Sequence, residues 1–256
     1  MITAGIDCGA KTTKTVILKD HEIIGKANVP TGFEQHEAVK ASLAKALQTA
    51  GASQDDLAHI GTTGSGSESV TEADVKVNDI RAMALCAHFF FSEVHTIADV
   101  GAEESRVAKT GKKGQVEDFA VNDKCAAGAG AFIEAMARAL ETPLQEMGKL
   151  ALSTNNSIPM NAQCTIFAES EVVGLIHAKT SIADISKAIH DAMASRIVSM
   201  IRRIGVNPDI GMIGGVAYNP GIVEALRREL GVEKIYIPDD PEYGTAVGAA
   251  VAAQNV

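Results

Sequence analysis

The N-terminal part of the chain alternates between short apolar runs typical of strands and longer patterns typical of helices. The segment ITAGIDCGAKTTKTVILKD predicts a strand, a glycine turn and a second strand, and residues 21–29 predict a third strand. Apolar residues recur at helical spacing over residues 34–50, which predicts an amphipathic helix. Residues 56–63 predict a short strand that enters the glycine-rich turn GTTGSG, and residues 72–91 predict the next helix.

A second strand-turn-strand pattern, over residues 95–110, can be superposed on the first with a constant offset. The matched pairs are Asp7 with Asp99, Gly9 with Gly101, Ala10 with Ala102, Thr13 with Ser105, and Lys14 with Arg106. Both copies place an acid at the end of a strand, then a turn of small residues, then a hydroxyl. The repeat favours a duplicated unit, with a chance match between two short segments as the alternative.

The rest of the chain continues the alternation of strands and helices. Helices are predicted at residues 130–141, 166–177, 182–204, 222–230 and 243–254, and strands at residues 209–213 and 234–237. This order of elements indicates an α/β architecture. Because no low-complexity linker separates the two halves, we expect two lobes that share a cleft.

Composition and charge exclude several kinds of partner. The formal net charge of −9 disfavours contact with nucleic acid or an anionic membrane, and an aromatic content of 4% disfavours stacking on bases. No apolar run approaches the roughly 20 residues that span a bilayer, and the N-terminus lacks the layout of a signal peptide. We therefore expect a cytoplasmic protein with four reduced or metal-bound cysteines, of which Cys8 and Cys86 are interpreted as core residues.

The first glycine turn, DCGAKTTK, has the composition of a phosphate-binding loop. Gly9 lets a phosphate approach the backbone N–H groups of the turn closely. The charged and hydroxyl side chains available to phosphate are Lys11, Thr12, Thr13 and Lys14. Asp7, at the end of the strand, is a candidate to hold a hydrated Mg²⁺ beside the phosphates. An ordinary β-hairpin with a tight turn is the competing interpretation of this segment.

The second turn, DVGAEE, surrounds Gly101 with three acids: Asp99, Glu103 and Glu104. Acids cannot bind phosphate directly, but they can bind the metal ion, or one of them can orient the attacking water. A solvated acidic turn is the alternative. With Asp7, these acids make up the candidate catalytic residues.

The third turn, GGVAYNPG, follows a predicted apolar strand, and its paired glycines allow the backbone to pack flat against a planar ring. The residues assigned to nucleotide binding here are Gly214, Gly215, Val216, Ala217 and Asn219. A plain strand-to-helix loop is the alternative. The chain contains no GxxxxGK[ST] motif and no GxGxxG after its first strand, which argues against a P-loop protein and a dinucleotide-binding fold.

Two cysteines have the setting of metal ligands. Cys125 and Cys164 each precede a predicted helix, where the helix dipole and free N–H groups stabilise a thiolate. Gly128 and Gly130, among the small residues after Cys125, leave room for a bulky group and are included among the candidate cofactor-binding residues. Two thiolates cannot complete the four-cysteine set of a 4Fe-4S cluster, but a two-fold dimer would supply the other two. Buried structural cysteines are the alternative.

Four segments of the chain together resemble the BadF/BadG/BcrA/BcrD ATPase family. They are GIDCGAKTTKTVILK, VNDKCAAGAGAFIEAMA, CTIFAESEVV and GGVAYNPGIVEAL. Members of this family include the activators of 2-hydroxyacyl-CoA dehydratases and the ATPase subunits of benzoyl-CoA reductases. The resemblance extends over nearly the whole chain and is most specific in the two cysteine segments.

The resemblance implies a duplicated RNase H-like fold of the actin, sugar-kinase and Hsp70 type. The expected lobes are residues 1–93 plus 243–256, and residues 94–242 with the cysteines. It also implies ATP or ADP with Mg²⁺ in each cleft, and one 4Fe-4S cluster per homodimer, ligated by Cys125 and Cys164 of both subunits. ATP hydrolysis would rearrange the subunits and send a low-potential electron, received from a ferredoxin or flavodoxin, to an iron–sulfur dehydratase or reductase.

Two turns depart from the family pattern. Dehydratase activators usually carry Gly-Gly-Gln-Asp at the second turn, where this chain has Gly101-Ala102-Glu103-Glu104, and Ser or Thr where it has Ala10. These positions are the ones expected to arrange Mg²⁺ and the attacking water. The alternatives are a sugar kinase of the same fold and a non-catalytic nucleotide-binding scaffold. Pairing with a paralogue is the alternative to a homodimer.

Overall fold

The structure is a computed structural model that describes residues 1–112, 114–122, 128–161 and 164–256. Within these residues the strands form two five-stranded sheets. The strands of the first sheet are β1 (Ile2–Cys8), β2 (Thr12–Lys19), β3 (Glu22–Pro30), β4 (His59–Thr63) and β5 (Val75–Lys76). Their order is β3-β2-β1-β4-β5, with the first three antiparallel and the last two parallel to β1.

The second sheet repeats the topology of the first. Its strands are β6 (Thr96–Val100), β7 (Ser105–Thr110), β8 (Val116–Asn122), β9 (Ile210–Ile213) and β10 (Ile235–Tyr236). From its antiparallel edge the order is β8-β7-β6-β9-β10, again an antiparallel meander followed by two parallel strands. The repeated strand order confirms the predicted duplicated α/β fold with two lobes.

The strand register places the repeated residues at equivalent positions. Asp7 lies opposite Lys14 in the β1–β2 hairpin, and Asp99 lies opposite Arg106 in the β6–β7 hairpin. On their other sides, β1 pairs with β4 and β6 pairs with β9, both in parallel. The sequence offset is therefore a structural equivalence between the two hairpins.

The helices pack around these sheets. They are α1 (Gln35–Ala50), α2 (Asp79–Phe90), α3 (Ala129–Ala139), α4 (Leu144–Leu152), α5 (Thr165–His177), α6 (Ile182–Ile204), α7 (Pro220–Leu230) and α8 (Gly244–Ala253). α8 lies so close to β1 that a Cβ atom at Gly5 would be 2.0 Å from the backbone oxygen of Ala246. On its other side, a Cβ at Gly248 would be 1.8 Å from the backbone oxygen of Ala82 in α2. This packing supports placing the C-terminal helix in the first lobe, although the lobe boundaries stay a prediction.

The larger apolar core lies in the second lobe, where α6 packs with α3, α4 and α7. Phe132 of α3 and Ile189 and Met193 of α6 are almost completely buried in it. Burial of a side chain of this size stabilises the fold by about 1.5–3 kcal/mol. The core therefore holds α3 and α7 in place through their packing on α4 and α6.

Three elements differ from the prediction. The helix predicted over residues 72–91 begins only at Asp79, because Val75–Lys76 forms β5 and Asn78 caps the helix by accepting a hydrogen bond from the N–H of Arg81 at 2.8 Å. The sequence pattern did not indicate β8, whose side chains are mostly exposed, or the nine-residue α4.

No helix in the described part of the chain is both long and apolar enough to cross a bilayer.

Candidate functional site

The three glycine turns meet in a cleft of about 430 Å³ between the two sheets. The first turn contributes Asp7, Gly9, Ala10, Lys11, Thr12 and Lys14 to its lining. The second contributes Asp99, Gly101, Ala102, Glu103, Glu104 and Arg106, and the third contributes Gly214 and Gly215. The fold thus brings together three segments that are far apart in sequence.

Asp7 and Asp99 occupy equivalent positions in this cleft. Each lies near the end of the central strand of its sheet, and they are only 8% and 6% exposed. Asp7 accepts hydrogen bonds from the ammonium of Lys14 at 3.3 Å and from the hydroxyl of Thr245 at 2.9 Å. Asp99 accepts one from the guanidinium of Arg106 at 3.1 Å. Each carboxylate is therefore balanced by the cation opposite it on the neighbouring strand.

A glycine lies beside each of these acids. Gly64 follows β4 with φ +92°, and Gly214 follows β9 with φ +89°. A Cβ at Gly64 would be 2.5 Å from Oδ1 of Asp7, and one at Gly214 would be 2.7 Å from Oδ1 of Asp99. Both the backbone conformation and the lack of space require glycine here. The duplication therefore extends from the two hairpins to the turns that follow the parallel strands.

Arg106 joins carboxylates from three segments. Its guanidinium contacts Asp99 of β6, Glu104 of the second turn and, at 3.2 Å, Asp79 of α2. The hydroxyl of Thr63 also donates to Asp79, at 3.2 Å. Burial raises the pKa of both Asp79 and Asp99, and the positive charge of Arg106 offsets this only in part.

The second turn is hydrogen-bonded to the start of α3. The N–H of Gly130 donates to the carbonyl of Gly101 at 3.1 Å, and the N–H of Ala131 donates to the carbonyl of Ala102 at 2.9 Å. A Cβ at Gly128 would be only 1.8 Å from that same Ala102 oxygen. The lack of a side chain at Gly128 therefore allows the helix to approach the turn, and Gly128 does not line the cleft.

A second cavity of about 360 Å³ adjoins the cleft through Ala102 and Gly215, which line both. Its other walls come mostly from α3, α4 and the third turn. They are Gly130, Ile133, Glu134, Leu144, Gln145, Gly148, Val216, Tyr218, Asn219 and Pro220. A mostly apolar cavity with a few polar groups suits a planar base.

Asn219 has a defined place in the wall of this cavity. Its Oδ1 caps α7 by accepting hydrogen bonds from the N–H groups of Gly221 at 3.0 Å and Ile222 at 3.4 Å. Its Nδ2 lies 3.0 Å from Nε2 of the buried His190. Ala217, in contrast, is buried in the apolar core and lines neither cavity.

The structure places Thr13 away from the cleft. Its side chain is fully buried, shares a hydrogen bond of 2.9 Å with the hydroxyl of Thr31 and donates weakly to the sulfur of Cys8. Because side chains alternate along a strand, Thr12 and Lys14 face the cleft and Thr13 faces the opposite side. The expectation of a second hydroxyl donor to phosphate at Thr13 is therefore corrected.

Several cleft residues were not predicted from the sequence. They are Asn28, Gly64, Ser65, Asp79, Arg106, Glu242 and Thr245. Two of them could have been found from the sequence. The repeat pairs Arg106 with Lys14, and Gly64 lies in the glycine-rich turn GTTGSG. No sequence feature marks Asp79 as a cleft residue, because only the tertiary fold brings the start of α2 to Arg106.

The described cysteines lie in two kinds of setting. Cys164 is the N-cap residue of α5 and is partly exposed, whereas Cys125 lies outside the described residues. Cys8 and Cys86 are buried in apolar clusters, and burial raises the pKa of both thiols. Among the described cysteines, Cys164 is therefore the one available to an external ligand.

Residues 4–253 match the BadF/BadG/BcrA/BcrD ATPase family. The chain belongs to this family. This ATPase is 35% identical over 253 residues to the 2-hydroxyisocaproyl-CoA dehydratase activator of Clostridioides difficile, covering 99% of this chain and 95% of that protein. It is 36% identical over 255 residues to the (R)-2-hydroxyglutaryl-CoA dehydratase activating ATPase of Acidaminococcus fermentans, with coverages of 98% and 96%. Identity to a subunit of the benzoyl-CoA reductase of Thauera aromatica is 29% over 265 residues, with coverages of 98% and 92%.

Solved structures show the same similarity. Component A of the Acidaminococcus fermentans (R)-2-hydroxyglutaryl-CoA dehydratase superposes with a TM-score of 0.94 at 34% identity, covering 100% of this chain and 98% of that one. The Clostridium difficile activator of the 2-hydroxyisocaproyl-CoA dehydratase, with bound ADPNP, superposes with a TM-score of 0.91 at 34% identity. The match covers 100% of this chain and 95% of that one. A ROK-family glucokinase from Streptomyces griseus, at 14% identity and TM-score 0.65 with both chains fully covered, shares the fold alone.

Proposed function

We propose that this ATPase is an ATP-dependent electron donor that activates an iron–sulfur enzyme of the 2-hydroxyacyl-CoA dehydratase or benzoyl-CoA reductase type. In this proposal a cytoplasmic homodimer holds one 4Fe-4S cluster through Cys125 and Cys164 of both subunits. The observation that carries the proposal is the position of α3. Its first turn is hydrogen-bonded to the acidic turn of the cleft, and the segment directly before it contains Cys125.

The cleft suits ATP because its two parts match the two ends of a nucleotide. Lys14, Thr12 and the backbone of the first and third turns would hold the phosphates. The adjoining apolar cavity would hold the adenine against Val216 and Leu144. Glu103 would orient the attacking water, because its exposed side chain lines the cleft and makes no hydrogen bond to another described residue.

Asp7 and Asp99 fit a hydrated Mg²⁺. Both offer carboxylate oxygens beside the phosphate turns, and Mg²⁺ is usually bound by one or two carboxylates together with waters and substrate phosphates. The ion would neutralise the negative charge of the phosphates. Lys14 and Arg106 orient the two carboxylates from the neighbouring strands.

Cys164 fits a cluster ligand. It is partly exposed, and the free N–H groups at the start of α5 favour the thiolate that ligates iron. Ile166 and Phe167, in the same first turn of α5, are 71% and 72% exposed. Exposed apolar side chains of this size are typical of an interaction surface, which supports a second copy of the chain beside the cluster. The cluster would supply one-electron redox chemistry.

Anaerobic purification tests the proposal. The protein should be a brown dimer that contains the iron of one 4Fe-4S cluster, gives an electron paramagnetic resonance signal after reduction, and hydrolyses ATP. With a dehydratase purified separately, electron transfer should require ATP. Colourless protein with intact ATPase activity would overturn the electron-donor proposal, and phosphorylation of sugars by such protein would establish the kinase alternative.

The acidic limb of the pH profile provides a separate prediction. If ionised Asp99 is required, ATP hydrolysis should fall as the pH decreases through a pKa above the ordinary value of 3.8, because burial raises the pKa of Asp99. The charge of Asp79 also raises this pKa, so Asp79→Asn should move the acidic limb to lower pH. Initial rates of phosphate release across the acidic range measure the shift. Asp118→Asn, on exposed β8, is the matched control, and an unmoved limb in Asp79→Asn would contradict the role of Asp99.

A further inference from the structure

An ion pair connects the first glycine turn to α3. Nζ of Lys11, in the first glycine turn, lies 2.9 Å from Oε2 of Glu134 in the middle of α3. The two side chains are 45% and 36% exposed. The pair therefore links the phosphate turn of the first lobe to the helix that begins at the second turn.

The two members of this pair line different parts of the nucleotide site. Lys11 lines the cleft between the glycine turns, and Glu134 lines the adjoining apolar cavity. A nucleotide that occupies both parts would place its phosphates beside the ammonium of Lys11. A polyphosphate carries more negative charge than a single carboxylate, and an exposed ion pair stabilises little. Phosphate can therefore displace Glu134 as the partner of Lys11.

This exchange would alter the attachment of α3. At its first turn α3 is hydrogen-bonded to Gly101 and Ala102 of the second lobe, whereas Glu134 connects it to the first lobe. When Lys11 binds phosphate instead, the ion pair that joins Glu134 to the first turn is lost. The hydrogen bonds to the second turn remain.

We propose that Lys11 and Glu134 form a latch that nucleotide phosphate opens. Without nucleotide, Lys11 binds Glu134 and holds α3 to the first lobe. When a nucleoside triphosphate enters, Lys11 binds its phosphates and releases Glu134. The inference rests on the proposed binding of ATP in this cleft and adds the contact through which occupancy reaches α3.

A double-mutant cycle tests the latch by calorimetric titration of ATP into the whole protein. Glu134→Gln removes the competing carboxylate and should tighten ATP binding about two- to five-fold, the range of an exposed ion pair. Lys11→Met should weaken ATP binding about tenfold, as expected for loss of a charged hydrogen bond. In the Lys11→Met background, Glu134→Gln should have no further effect.

The cycle separates exchange from simple charge repulsion. If Glu134 merely repels phosphate, Glu134→Gln would tighten ATP binding equally with or without Lys11, and that result would overturn the latch. An unchanged affinity in Glu134→Gln would overturn it too. Glu141→Gln removes the same charge just beyond the end of α3, so its ATP affinity should equal that of the wild type. Adenosine lacks phosphate, so Glu134→Gln should not tighten the binding of adenosine. Failure of the wild-type protein to bind ATP would instead remove the proposed function itself.

Discussion

Replacement of Asp99 by asparagine should slow ATP hydrolysis about 10²- to 10³-fold, a typical cost of removing one preorganised charge from an active site. Asn keeps the size of the side chain and removes the negative charge that Asp99 presents beside the second turn. Arg106 keeps its contacts with Asp79 and Glu104, so the turn should stay in place. Steady-state phosphate release measures kcat, and calorimetry measures ATP affinity, which should change much less.

The melting temperature separates a catalytic effect from unfolding. Burial raises the pKa of Asp99 in the folded protein, so its ionisation above the unfolded pKa reduces the stability of the fold. Asp99→Asn removes that cost at neutral pH, and the melting temperature should therefore be maintained. An unchanged kcat in this variant would show that hydrolysis does not require Asp99, and would leave Asp7 and the glutamates of the second turn as the catalytic candidates.

Replacement of Cys164 by alanine should remove essentially all bound iron. The four-cysteine set of the proposed cluster would lose one ligand from each subunit, which leaves two of four. Iron analysis and visible absorbance after anaerobic purification measure the loss. ATP binding should be retained, because Cys164 lines neither the cleft nor the apolar cavity.

Cys86→Ala is the matched control for this variant. Cys86 is completely buried in the apolar core and its thiol pKa is raised by that burial, so its removal should leave the iron content unchanged. Full iron content in Cys164→Ala would show that Cys164 is not a ligand. The ATPase assignment would survive that result, because it depends on the cleft.

The candidate site was predictable where its signals are local. Asp7 and Asp99 precede glycine turns at the ends of apolar strands, and the constant sequence offset between the copies pairs Lys14 with Arg106, as the strand register does. Thr13 was assigned to the wrong side of β2, because a turn motif does not show which alternate side chains face the cleft. The third turn was located correctly, but Ala217 within it packs into the core.

The sequence alone determined the two lobes, the order of the three turns and the helix-start position of Cys164, because strand patterns, glycine turns and helix starts depend on neighbouring residues. Only the tertiary structure brought Asp79 to Arg106, Thr245 to Asp7, and α3 to the second turn. These contacts join residues far apart in the chain, and their geometry depends on how the sheets and helices pack. A local pattern therefore locates the functional segments, and packing decides which side chains act together.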